Sequence, residues 1–174
     1  MRLNFWEDGL AVPVVSVVGK SGVGKTTFLE KLIRELKRRG YRVGTIKHDW
    51  GGFEIDQPGK DTWRHAQAGS DVVVISSPHK MAMIRRVDAE LSLDEIVATL
   101  PPLDIVITEG FKAENKPKIE VVRSAVAHEL LFSESDLLAV VTDRPFAVAA
   151  PHFGLDDAAG VAALLEDTFE LRAS

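Results

Sequence analysis

Cysteine is absent from the 174 residues, which excludes a disulfide framework and thiolate metal sites and makes a reducing cytoplasm the simplest compartment. Histidine and carboxylates remain available as metal ligands. No apolar run approaches the roughly 20 residues of a membrane span. Residues 1–8, which include Glu7 and Asp8, lack the basic-then-apolar layout of a signal peptide. A soluble, cytoplasmic protein with no membrane partner is expected. A basic surplus is missing too, since the formal net charge is −5, so no broad face for a nucleic-acid backbone is expected. No internal repeat, low-complexity tract or linker divides the chain. With 45% hydrophobic residues, a chain of this length buries about 70% of its unfolded surface, which points to one domain over residues 1–174.

Short Val- and Ile-rich runs recur at residues 14–18, 72–75, 105–107 and 137–141, as in strands of a parallel sheet covered on both faces. Helical patterns lie between them. In residues 27–39, Phe28, Leu29, Leu32, Ile33 and Leu36 share one face, charges occupy the other, and Gly40 provides a stop. Residues 61–68 read as a short helix closed by Gly69. Ser92 with Glu95 makes a capping box for a helix reaching about residue 100, where Pro101 and Pro102 end it. A last helix is expected over residues 157–169. Residues 41–48 read as a strand entering a turn, and residues 80–86 and 118–123 as shorter, more polar strands near an edge, where a second copy could extend the sheet. Residues 49–59 carry three glycines and a proline and read as a mobile loop. This alternation predicts an α/β fold of three layers, α/β/α, around a mostly parallel sheet, with ligand chemistry at the carboxyl ends of the strands.

One motif stands out. Residues 19–26 read G-K-S-G-V-G-K-T, the G-x-x-x-x-G-K-[ST] pattern of a P-loop. Glycines let the backbone turn with its N–H groups pointing inward, forming a nest for phosphate oxygens at the positive end of the following helix. Lys25 adds a full charge against the β- and γ-phosphates, and Thr26 offers a hydroxyl to Mg²⁺. Chance alone gives such a match in under about 1% of chains of this length, taking glycine usage near 7%. A nucleoside triphosphate is therefore expected here.

Magnesium also needs a carboxylate at the end of a neighbouring strand, and Glu109, after the run 103–108, supplies one. Asp104 opens that strand at its far end and reads as a capping or turn residue. Residues 45–50 read T-I-K-H-D-W. The second strand thus delivers Lys47, His48 and Asp49 beside the phosphates. Asp49 is a candidate for holding Mg²⁺ or positioning a nucleophile, Lys47 for offsetting phosphate charge, and His48 for nucleotide contact or for a hydrogen-bonding role in the turn. His65 and His79 read as ordinary helix and loop residues. No Gln and no second carboxylate declares itself as a positioner of attacking water, so slow hydrolysis at most is expected.

Taken in order, the P-loop, T-I-K-H-D, G-K-D-T-W-R-H-A-Q-A-G, I-T-E-G-F-K and V-V-T-D resemble the bacterial molybdopterin-guanine dinucleotide biosynthesis adaptor family over residues 14–143. The resemblance implies a P-loop NTPase fold, GTP and Mg²⁺ as ligands, weak hydrolysis and a homodimer. It also implies work beside the molybdenum cofactor guanylyltransferase, with direct contact to molybdopterin left open. By position it places the nucleotide on Gly19, Lys20, Ser21, Gly22, Val23, Gly24, Lys25, Thr26 and Thr27, with Thr26 and Glu109 attending the metal. Asp143 stands where related GTPases keep an acid for guanine, or is a plain turn residue. Lys20 matches the first lysine of a deviant P-loop that reaches across a dimer, or is a solvated loop lysine. Asp61, Thr62 and Arg64 are candidates for cofactor or partner contact.

A second class stays open on the same residues. A small-molecule kinase, or an ATP-dependent ligase resembling dethiobiotin synthetase, would use Asp49, Glu109 and Lys112 to align acceptor and metal, with residues 51–59 as a lid. A dimer that keeps nucleotide only for stability is the third.

Overall fold

The computed structural model describes residues 12–172. The reading of residues 1–8 lies outside the described residues. The chain packs as two compact units, one formed by the segments up to His48 and from Leu93 onward, the other by Asp49–Ser92.

The first unit is built on a six-stranded sheet. Its strands are β1 (Val14–Val18), β2 (Val43–Lys47), β5 (Ile105–Glu109), β6 (Lys118–Val122), β7 (Leu137–Thr142) and β8 (His152–Phe153), in spatial order β2-β5-β1-β6-β7-β8. Every pairing is parallel. Helices α1 (Lys25–Arg38) and α4 (Ala158–Phe169) cover one face. Phe28, Leu32 and Leu36 of α1 and Val161 and Leu165 of α4 bury against Val15, Val17, Ile107, Ile119 and Val121. Helix α3 (Leu93–Ala98) sets Leu93 and Val97 against Val14, Val106 and Phe111 on the other face. These are the three layers that the alternating pattern predicts.

Polar contacts join α1 to α4 at their solvent edge. Arg39 donates to Glu166 Oε2 at 2.5 Å and to Ala159 O at 2.9 Å, and the Tyr41 hydroxyl donates to Glu166 Oε1 at 2.9 Å. Asp104 accepts from Arg42 N at 2.6 Å and from its guanidinium at 3.0 Å, the turn role expected of it. Asp157 caps α4 by accepting from Gly160 N.

The second unit holds α2 (Asp61–Gln67) and a two-stranded antiparallel sheet of β3 (Val72–Ser77) and β4 (Lys80–Arg85). Gly69, at φ 104, follows α2 as the expected stop. Two expectations fail among the strands. The run beginning at Val72 is not a buried strand of the parallel sheet: it turns at Pro78 and His79 into a hairpin whose Val74, Ile75, Met81 and Met83 are exposed. Residues 118–122 are not an edge strand either, because β6 lies between β1 and β7 with all five residues buried. Its polar look misleads because the chain itself pairs those charges. Lys118 Nζ donates to Glu114 O at 2.7 Å and Lys116 O at 3.2 Å. Glu120 accepts from Leu131 N at 2.7 Å and Phe132 N at 3.3 Å. Buried charge is tolerated where such partners exist. Among the described residues no helix is long and apolar enough to cross a membrane.

The interior place of β6 fixes the turn after β1. Gly19 has φ 143, and a Cβ there would collide with the backbone oxygen of Val121. Gly19→Ala should therefore lower stability by about 1–3 kcal/mol, the usual cost of overpacking, read as a lower urea midpoint at unchanged m-value.

Candidate nucleotide site

The loop between β1 and α1 is anchored at two points and open elsewhere. Gly19 and Val23 are buried, while Lys20, Ser21 and Gly22 are exposed. Gly24, left-handed at φ 97, is the N-cap of α1, and its carbonyl takes the first helical bond from Phe28 N at 2.9 Å. The next N–H groups have no intrahelical partner, as at any helix start. Lys25 curls back over the loop, donating to Lys20 O at 2.9 Å and Gly19 O at 3.2 Å. Burial lowers the pKa of its ammonium; Glu109 opposes that shift, and the charges of Lys112 and Lys47 add to it.

Glu109 occupies the centre of this arrangement. In the sheet register it sits opposite both Val17 of β1 and Lys47 of β2. Its Oε1 accepts from the Thr26 hydroxyl at 2.8 Å, so the two predicted metal residues meet although 83 positions separate them. Gly110 (φ 99) and Phe111 (φ 49) then turn the chain sharply. A left-handed conformation is costly for a bulky residue such as Phe111 and tends to persist where function demands it. The turn lays the Phe111 ring against His48, centroids 4.8 Å apart, and carries Lys112 back toward Lys25. His48 N donates to Glu109 O at 3.0 Å, so the histidine serves at least the hydrogen-bonded turn.

Asp143 follows β7 and accepts from Ser124 N at 2.8 Å and Ser124 Oγ at 2.9 Å; these bonds hold its pKa below the ordinary aspartate value. The structure thus gathers Lys25, Thr26, Lys47, His48, Glu109 and Lys112 at the carboxyl edge of the sheet, with Asp143 fixed after β7. Asp49, Asp61, Thr62 and Arg64 belong to the second unit. There Asp49 accepts from Gly51 N at 2.9 Å. Asp61 and Thr62 line an open hollow of about 340 Å³ with Asp56, Gln57, Lys60 and Ile75. No group of three or more His, Cys, Asp or Glu suited to a metal exists among the described residues. A cation at this site would therefore rest on one carboxylate, one hydroxyl and the phosphates, the usual manner of Mg²⁺. A glycine loop at the start of α1, a lysine already on its carbonyls and the Thr26–Glu109 pair fit a magnesium triphosphate.

One residue escaped the sequence reading. Glu120, 1% exposed, stands beside the loop opposite Val18 and close enough to feel Lys20 and Lys112. Burial raises its pKa despite those charges and its two backbone donors. The only available signal was a carboxylate inside an otherwise apolar run. With the folded pKa above the unfolded one, the native state binds more protons, so this group makes stability fall as pH rises through that interval. Glu120→Gln should flatten the decline in unfolding free energy above about pH 4.3, measured by urea denaturation across pH; an unchanged slope would assign the dependence elsewhere.

Comparison with known proteins bears on the fold and the family. The family described as "Molybdopterin guanine dinucleotide synthesis protein B" matches residues 14–143. A Haemophilus influenzae protein named "Molybdopterin-guanine dinucleotide biosynthesis adapter protein" is 37% identical over 79% of this chain and 78% of its own length. Its Escherichia coli namesake is 33% identical over 87% and 90%. Among solved structures, the crystal structure titled "molybdopterin-guanine biosynthesis protein B" superposes with TM-score 0.70 at 32% identity, covering 88% of this chain and 98% of that one. The Bacillus subtilis MobB crystal structure gives 0.71 at 25%, covering 93% and 99%. With a family match over most of the chain and a fold shared with solved members, this protein belongs to the molybdopterin guanine dinucleotide synthesis protein B family.

Proposed function

We propose that this protein is a cytoplasmic accessory protein of molybdenum cofactor biosynthesis that binds GTP with Mg²⁺ and assists attachment of the guanine dinucleotide to molybdopterin. The observation that carries this reading is the 2.8 Å bond between Thr26 and Glu109 directly after the glycine loop. Thr26 and Glu109 would hold the metal, which when bound neutralises and orients the phosphate oxygens. Lys25 would leave the loop carbonyls for the β- and γ-phosphates, while the loop amides and Thr27 close on the remaining oxygens. Lys47 and Lys112 offset further charge; at an effective dielectric near 20, one cation about 4 Å from a phosphate charge is worth roughly 4 kcal/mol before desolvation. Asp143, held ionised by Ser124, is the candidate acceptor for guanine N–H groups.

Hydrolysis is expected to be slow. The second carboxylate beside the loop, Glu120, has its oxygens committed to the amides of Leu131 and Phe132 and does not serve as a general base. The nucleotide then acts as a state marker for docking to the guanylyltransferase. The hollow at Asp61 and Thr62, with Arg64 on the same helix, is the surface we assign to that partner or to molybdopterin. A homodimer is supported by the β3–β4 hairpin, which turns Val72, Val74, Met81 and Met83 to one exposed face; contiguous exposed apolar surface of this kind marks association sites.

Calorimetric titration should find one magnesium-dependent site that prefers GTP to ATP, and Lys25→Ala should weaken it about thirtyfold or more, as expected for removing one partner of a charge-assisted contact. Preference for ATP together with rapid phosphorylation of a small acceptor would instead select the kinase or ligase class. Light scattering at micromolar concentration should give a dimer, and Met83→Lys should shift it to monomer; a wild-type monomer would remove the dimer from the account.

A further inference from the structure

We infer that the Arg123 guanidinium forms the flat surface on which the purine of the bound nucleotide lies, an inference that rests on the glycine loop holding a nucleoside triphosphate. Arg123 immediately follows β6, the neighbour of β1 on the side away from β5. Its Nη2 would stand 3.5 Å from a Cβ placed on Gly24, so the guanidinium covers the last loop residue before α1. Its carbonyl accepts from both Val126 N and Ala127 N at 2.9 Å, which fixes the backbone. The side chain is exposed, and among the described residues no hydrogen bond or ion pair claims its guanidinium.

Position decides which part of a nucleotide it meets. The phosphate-binding charges Lys25, Lys47 and Lys112, with Thr26 and Glu109, lie toward β5 and β2. Arg123 lies on the opposite flank with Ser124 and Asp143, and its charge is felt by both Asp143 and Asp156. Two nearby carboxylates make this flank a poor place for added negative charge. They leave the plane of the guanidinium free, and arginine, unlike lysine, stacks on aromatic rings. A purine resting there has its N–H edge within the neighbourhood of the Asp143 carboxylate, while its phosphates run along the loop toward Lys25. Arg123 is thus a base-positioning residue that separates recognition of a nucleoside from recognition of a bare polyphosphate.

The test compares Mg²⁺–GTP with inorganic tripolyphosphate plus Mg²⁺ by calorimetry on the full chain, its fold checked by circular dichroism. Arg123→Ala should weaken GTP binding about tenfold, the range of a desolvated cation–π contact, and leave tripolyphosphate affinity unchanged. Arg123→Lys, which keeps the charge but not the plane, should recover only part of the loss and keeps the comparison available if the alanine variant folds poorly. Equal losses on both ligands would place Arg123 on the phosphates and overturn the inference. So would unchanged GTP affinity in Arg123→Ala, and the triphosphate site would still stand if Lys25→Ala lost both ligands.

Discussion

The site depends on one steric constraint: the turn from β1 into α1 is pressed against the backbone of β6, so closely that Gly19 leaves no room for a Cβ beneath Val121 O. That contact aims the chain from Val18 into a loop instead of a continued strand, and Val23, fully buried, pins the other end. Between two fixed points the loop has little choice but to curl. Lys25 folds over it, donating to the carbonyls of Gly19 and Lys20. The central placement of β6 therefore shapes the loop, and its charged residues are tolerable in the interior because backbone groups pair them.

Around this turn the charges divide by strand. Toward β5 and β2 stand the groups that suit phosphate and magnesium, with Glu109 in register with both neighbouring strands. Toward β7 stand Ser124, Asp143 and Arg123, the flank we propose for the base. Parallel order produces this division, because every strand delivers its carboxyl end to the same edge. Lys25 shows how finely the edge is balanced. Its partial burial and its lysine neighbours disfavour its charge, and Glu109 offsets only part of that. An arriving triphosphate would add negative charge to a cluster of cations already assembled, which is how a preorganised site gains affinity.

The sequence announced most of the fold, and its failures have physical causes. Residues 14–18 are β1 to the residue because a run apolar at every position fits a strand buried on both faces. The meeting of Thr26 with Glu109 was legible because a helix start after β1 and the end of the neighbouring strand share the carboxyl edge of a parallel sheet. The hairpin at Val72 was misplaced because apolar residues on both strand faces look the same whether they meet a core or another surface. β6 was misplaced for the opposite reason: Lys118 and Glu120 find their partners in backbone groups of residues 114, 116, 131 and 132, and no periodicity encodes contacts with distant main chain. The proximity of Arg123 to Gly24 was not legible because it spans 99 positions and involves no recognisable motif.

The central claim is that inward-facing main-chain amides at the start of α1 grip a polyphosphate. Amide hydrogen exchange with and without Mg²⁺–GTP reads those amides directly. The account predicts that protection gained on binding is concentrated in residues 19–27, with a smaller gain around Glu109. Unchanged exchange across residues 19–27 at saturating nucleotide would contradict it.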